Sequence, residues 1–161
     1  MGVDAVLISS AYAGGGFISR EHYESFVLPY EKKLIQGIKE KTDIPVYTHT
    51  CGAIGDRLDL MLETGTDGID TLDPPPLGNV ELSKAKKILQ GRAFIKGNVD
   101  PVNTLLRGTP EKVREDALHR LEIAAPGGGY ILSSACSVPP RTPPENIMSL
   151  REAVEIFKEK S

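Results

Sequence analysis

The sequence predicts an α/β fold built on a parallel sheet, and three observations carry that prediction. Strand and helix signals alternate from one end of the chain to the other, the pattern of successive βα units. The strand segments are short, nearly continuous apolar runs, as strands covered by helices require. Their downstream ends carry the polar residues: Ser9 and Ser10, His49 with Cys51, Asp73, Asn98, and Cys136 a few residues beyond the last run. In a parallel sheet all those ends lie on one side. Polar groups spread over several strand ends suit a (β/α)8, or TIM, barrel better than an open sheet with one crevice. A complete barrel takes about 250 residues and eight strands. The 161 residues have room for strands four to eight, so the expectation is a partial barrel forming a single domain over residues 1–161.

Each element has a local reason. Asp4–Ser10 reads as a buried strand, followed by the Gly-rich turn Ala13-Gly14-Gly15-Gly16. Ser19 is a good N-cap with Glu21 in the first turn, so a helix opens there and runs to about Lys41, with a kink expected at Pro29. Ile44–Thr48 is the second strand. Residues 56–63 place Leu58, Met61 and Leu62 on one helical face before Gly65 closes the helix. Gly68–Leu72 is the third strand, and Pro74-Pro75-Pro76 must be loop. Residues 80–90 form a helix expected to turn Leu82, Ala85, Ile88 and Leu89 inward, and Ala93–Lys96 is the fourth strand. Thr109-Pro110 is a cap and first-turn proline for a helix to about Ala124. Gly127-Gly128-Gly129 is then a turn into the fifth strand at Tyr130. Thr142-Pro143-Pro144-Glu145 reads as a capping box for the last helix.

Composition narrows the function classes. Hydrophobic residues make up 40% and charged residues 25% of the chain, ordinary for a soluble globular protein. The net charge is −3, and both signs are interspersed along the helices, which leaves no electrostatic footprint for nucleic acid. No apolar run approaches the roughly 18 residues of a membrane span, and Met1-Gly2-Val3-Asp4 lacks the basic and apolar regions of a signal peptide. A cytoplasmic location is therefore expected. In that compartment two cysteines are ligands, nucleophiles or small buried hydrophobes more readily than a disulfide.

His49-Thr50-Cys51-Gly52 sits where one apolar run stops, and Cys136 follows another. An imidazole and two thiolates are a zinc ligand set, and they would converge on one metal if the two strands were neighbours. A buried thiol is the bland alternative for each cysteine. Asp73 and Asn98, at neighbouring strand ends, are candidates to bind substrate or to hydrogen-bond His49 from behind; the competing roles are a turn-fixing aspartate before the prolines and an asparagine capping the next loop. Ser10 and Tyr12 after the first strand and Arg141 after the last complete the candidates, each with a packing or solvated alternative. His22 and His119 fall on helix surfaces. Gly14–Gly16 is no phosphate cradle, since no Walker lysine follows it.

Phe26-Val27-Leu28-Pro29-Tyr30, His49-Thr50-Cys51-Gly52, Gly97-Asn98-Val99-Asp100-Pro101, Gly108-Thr109-Pro110-Glu111 and Thr142-Pro143-Pro144-Glu145-Asn146 occur in an order that resembles the uroporphyrinogen decarboxylase superfamily. The resemblance spans essentially the whole chain and is to the carboxyl-terminal half of that family's barrels. The superfamily has two branches, porphyrin decarboxylases and corrinoid-dependent methyltransferases that move a methyl group to a thiol such as coenzyme M. In the methyltransferases a His-x-Cys and a later Cys bind zinc, and His49, Cys51 and Cys136 match them. In the decarboxylases a Gly-His-Gly follows the last strand, where this chain has Ala135-Cys136-Ser137. The resemblance thus implies zinc as cofactor, and methylcobalamin carried by a corrinoid protein partner, with a small thiol as acceptor. The alternatives it leaves are uroporphyrinogen decarboxylase itself, whose catalytic residues lie in the other half, or an incomplete half-barrel. Five barrel strands leave two open edges, so a homodimer completing the barrel is a further expectation.

Overall fold

The computed structural model describes residues 2–160. Five strands, β1 (Val6–Ser9), β2 (Val46–Thr50), β3 (Gly68–Thr71), β4 (Phe94–Val99) and β5 (Tyr130–Ser134), form one sheet in the order β1-β2-β3-β4-β5. Every pairing is parallel. Each strand lies beside its predecessor and the order never reverses, so the sheet winds one way, as a barrel does and a doubly wound sheet does not. The chain is a partial (β/α)8 barrel.

Register sorts the strand residues onto two faces. Ser9, His49, Asp70, Lys96 and Ile131 stand side by side in one row. The adjacent row is Ile8, Thr48, Ile69, Ile95 and Tyr130, which the period of two turns to the opposite face. The central members of that second row, Thr48, Ile69 and Ile95, are buried, so this face lies under the helices. The first row contains the ionisable groups and faces the barrel interior. Leu7 and Ile131, on the interior face of the edge strands, are 45% and 49% exposed.

The helices are α1 (Arg20–His22), α2 (Leu28–Lys39), α3 (Leu58–Glu63), α4 (Leu82–Leu89), α5 (Pro110–Ala124) and α6 (Pro144–Lys160). Ser19 caps α1 as expected, its hydroxyl accepting the His22 N–H at 3.2 Å, and Thr109 caps α5 through the Lys112 N–H. The expected kink at Pro29 is a π-helical stretch, Tyr23–Val27, joining α1 to α2. There the Leu28 N–H reaches the Tyr23 carbonyl five residues back, and the widened turn accommodates a proline that has no N–H to give. A second π-helical stretch, Pro101–Leu106, follows β4 and was not legible in the sequence. The Asp100 carboxylate caps it, accepting N–H bonds from Val102 and Asn103 at 2.8 Å each.

Two expectations are corrected. In α4, Leu82, Ala85 and Leu89 are buried, but Ile88 is 37% exposed, and Lys86 takes the inward place by donating its ammonium to the Gly128 carbonyl at 2.6 Å. The capping box at Thr142 does not form. The Thr142 N–H bonds the Pro139 carbonyl, its hydroxyl has no partner among the described residues, and α6 begins at Pro144. What ties α6 down is Asn146, whose buried amide donates to the Leu105 and Gly108 carbonyls at 2.7 and 2.8 Å.

The main core lies between sheet and helices: Ile54, Met61, Ile69, Leu72, Leu89 and Ile95 pack together with Tyr23. Smaller clusters seat α5 and α6 against β4 and β5. Among the described residues no helix is long and apolar enough to cross a membrane.

Candidate metal centre

His49 is the penultimate residue of β2 and faces the barrel interior; Cys51 lies just past the strand and Cys136 two residues past β5. Their ligand atoms all fall within 4.8 Å of one another. The Cys51 sulfur is 3.3 Å from His49 Nε2 and 3.7 Å from the Cys136 sulfur. Two sulfurs bound to one tetrahedral zinc lie about 3.8 Å apart, so the donor set fits that ion in spacing as well as in chemistry. A disulfide would need about 2.05 Å, and both thiols are free.

The convergence has a different cause from the expected one. β2 and β5 are not neighbours, since β3 and β4 lie between them. In a flat sheet three strand spacings separate their ends by about 14 Å. The curl of the sheet toward a barrel brings them together, so fold and site are one fact.

The surroundings hold the ligands in place from several sides. Gly14 lies so close to the Cys51 carbonyl that a Cβ there would overlap its oxygen, and the Gly15 N–H donates to the Ala53 carbonyl at 2.7 Å. The Gly-rich turn is thus a brace for the Cys51 segment. Arg57, 1% exposed, fixes that turn by donating to the Ala13 and Ile18 carbonyls at 2.9 and 3.2 Å. Beyond β2, Thr71 and Leu72 adopt φ of +81° and +55°, the left-handed region that a β-branched residue such as Thr71 rarely enters, at a cost of about 1–3 kcal/mol each. They lie between two aspartates, one engaging β2 and the other the segment just past it. The Asp70 Oδ2 is 3.1 Å from His49 Nδ1, and the Asp73 Oδ2 accepts the Gly52 N–H at 2.6 Å.

Charge around the thiols is acidic. Burial, then the adjacent Cys136 thiol and the Asp73 and Asp70 carboxylates, push the Cys51 thiol up to about 12. Burial also raises Asp73, although the Gly52 N–H pulls it back. A cation seated among these groups is the charge they lack.

The other residues singled out in the sequence are placed as follows. Ser10 is beside the site through its backbone, donating its N–H to the His49 carbonyl at 2.8 Å. Tyr12 is 76% exposed, its ring edge-on to Phe17 at 5.3 Å. Arg141 is exposed, as are His22 and His119. Asn98 is fully buried and turned toward α5: its amide donates to the Leu72 carbonyl at 2.8 Å and its oxygen accepts from Arg120 at 2.6 Å. The hydrogen bond to His49 expected from Asn98 or Asp73 comes instead from Asp70. Sequence reading missed Asp70 and its ion-pair partner Lys96, 2.9 Å away. The available signal was a single charge inside each apolar run, next to Ile69 and Ile95.

A one-way parallel sheet curled so that an imidazole and two thiols meet at its carboxyl rim defines a (β/α)8-barrel protein with a candidate metal centre. The chain belongs to the uroporphyrinogen decarboxylase (URO-D) family, which it matches over residues 1–157. It is 33% identical over 157 residues to a methylcobamide:CoM methyltransferase MtbA of Methanosarcina acetivorans, covering 98% of this chain and 43% of that protein. It is 34% identical over 167 residues to a uroporphyrinogen decarboxylase of Chlorobium phaeobacteroides, with 99% and 43% covered. Among solved structures, a methyltransferase from Methanosarcina mazei superposes with a TM-score of 0.84 at 25% identity, over 98% of this chain and 43% of that one. The chain therefore spans less than half the length of these relatives.

Proposed function

We propose that this chain carries the zinc centre of a methyltransferase that moves a methyl group from a corrinoid to a small thiol. The observation that supports this reading is the His49, Cys51 and Cys136 cluster, whose ligand atoms lie within 4.8 Å. Relatives of both activities match at nearly the same identity, 33% and 34%, so overall similarity does not choose between them. The cluster supports the methyltransferase reading, because Cys136 stands where the decarboxylase resemblance implies a histidine. A bound zinc ion supplies Lewis acidity that keeps a coordinated thiol as its nucleophilic thiolate at neutral pH.

The chain's own residues set the conditions for that chemistry. Two thiolates and a neutral imidazole neutralise a divalent cation, which leaves an added thiolate electron-rich. Three protein ligands are the number a catalytic zinc site uses while keeping a position for substrate. Ser10 and Asp73 flank the rim on either side of β2 and are read as binding or orienting groups, while Tyr12 and Arg141 are exposed near the strand ends that approach it. The methyl donor is methylcobalamin on a partner corrinoid protein that docks over this rim. Leu7 and Ile131 are covered when the barrel is completed, by a second copy of the chain or by the remainder of a longer protein. Residues 1–161 act as one domain.

Purified chain should contain roughly one zinc per molecule. Supplied with methylcobalamin and 2-mercaptoethanesulfonate, the completed barrel should form the methyl thioether as methylcobalamin absorbance falls. A well-folded chain that takes up no zinc at neutral pH overturns the proposal. So does release of carbon dioxide from uroporphyrinogen without methyl transfer.

A further inference from the structure

Lys96, Asp70 and His49 form a chain across three adjacent strands in the interior-facing row. Asp70 is the centre of it, with its side chain 7% exposed. The two carboxylate oxygens are divided between different partners. Oδ1 accepts the Lys96 ammonium and the Thr71 N–H, each at 2.9 Å. Oδ2 is left for His49 Nδ1 at 3.1 Å.

We infer that Asp70, held by Lys96 and by the Thr71 backbone, is a positioning residue that fixes the tautomer of His49 and so presets the donor set for its metal. The ammonium and the amide are donors only, and they keep the oxygen they touch an acceptor. A carboxylate paired with an ammonium has no proton to give, so across the Oδ2 contact the hydrogen must sit on His49 Nδ1. Nε2 then carries its lone pair and accepts from the Cys51 thiol 3.3 Å away. A neutral histidine in water favours the Nε2–H form and holds no fixed ring angle, whereas this one is turned to the Nδ1–H form and oriented before any ion arrives. Lys96 has a second effect. Its ammonium, 2.9 Å from Asp70, offsets part of the charge with which that carboxylate acts on the thiols. The strained Thr71 is part of the same device, because its N–H locks Oδ1 and its hydroxyl donates to the Thr50 carbonyl of β2 at 2.6 Å.

This inference rests on the metal reading, but its first test does not. In metal-free protein at about pH 8.5, where imidazole is neutral, 15N-histidine spectra report which ring nitrogen carries hydrogen, and H49Q identifies the signal among the three histidines. His49 should be the Nδ1–H form in the wild-type chain. D70N is close to isosteric, and the Lys96 and Thr71 donors will hold its amide oxygen at the Oδ1 position. Its NH2 then faces Nδ1, which must accept, so the tautomer should invert and put a hydrogen on Nε2. Zinc affinity, read by competition with a chelating dye, should fall about 10–100-fold in D70N. K96M leaves the carboxylate in place and should keep the Nδ1–H form.

An Nε2–H form in the wild-type chain overturns the inference whether or not any variant folds. So does D70N with an unchanged tautomer and zinc affinity within twofold of wild type, and so does inversion in K96M. Absence of zinc binding by a wild-type chain in the Nδ1–H form would overturn the proposed function and leave the tautomer assignment standing.

Discussion

Cys51 and Cys136 are 85 residues apart in the chain and 3.7 Å apart at sulfur. Neither lies on a strand that neighbours the other's, so their meeting depends on the curvature of the whole sheet. Cobalt(II), which takes the same ligands, reads this relationship directly through sulfur-to-metal charge-transfer absorption. C136A should bind cobalt more weakly and show about half the wild-type intensity per bound ion, since one thiolate of two remains. Circular dichroism should be unchanged, because Cys136 lies beyond β5 and contributes no sheet hydrogen bond. Equal charge-transfer intensity in both proteins would mean that Cys136 is not a ligand.

The Cys51 thiol gives a pH dependence with a definite sign. Its folded-state value lies near 12, against an unperturbed 9.0. Between those values the folded, metal-free chain retains a proton that the unfolded chain has released, so stability falls as pH rises through that window. C51A lacks the group and should lose this slope, seen as a flatter plot of urea midpoint against pH above about 9. The same proton must leave when a metal binds. Metal affinity should therefore rise with pH around neutrality, checked by calorimetry in buffers of different ionisation enthalpy.

The parts of this molecule that were legible in its sequence are those written in local chemistry. The apolar runs at Val46 and Ile69, the Ser19 and Thr109 caps and the His-x-Cys motif each state their role within a few residues. Asp70 and Lys96 do not, because one charge in a strand looks the same whether it faces solvent or an ion-pair partner on the next strand, and only register decides. Asn98 shows a related limit: its strand-end position is visible in the sequence, but its turn toward Arg120 is not. Thr142 has the residues of a capping box, yet the Pro139 carbonyl had already claimed its N–H. Helix periodicity also failed to choose between Ile88 and Lys86, whose long stem reaches a carbonyl on a distant loop.

Gly14 is expected to tolerate no side chain. A Cβ would meet the carbonyl oxygen of Cys51, a backbone atom that cannot rotate away. G14A should therefore cost about 1–3 kcal/mol, as overpacking in a tight site does. The loss should appear in the metal as well as in the fold, because the displaced atom belongs to a ligand residue. Chemical denaturation and zinc competition on one sample separate the two effects. A G14A chain with wild-type stability and wild-type affinity would show that the turn is not a brace.

Arg57 should couple the outer layer to the same segment. Its guanidinium is 5.7 Å from the centre of the Tyr23 ring and holds the Ala13 and Ile18 carbonyls, with Asp56 at Nε at 2.9 Å. R57M keeps the apolar stem and removes every donor, leaving two carbonyls without their charged partner, at a cost of about 1–3 kcal/mol. R57K restores the charge but not the fork: Nη1 alone reaches both carbonyls, but Asp56 is met by Nε and Nη2, so one ammonium replaces only part of the set and rescue should be partial. Amide exchange should quicken at Gly15 and Phe17, whose N–H bonds close the Gly-rich turn, before it quickens in β2. If β2 opened first instead, Arg57 would be supporting the sheet and not the Gly-rich turn.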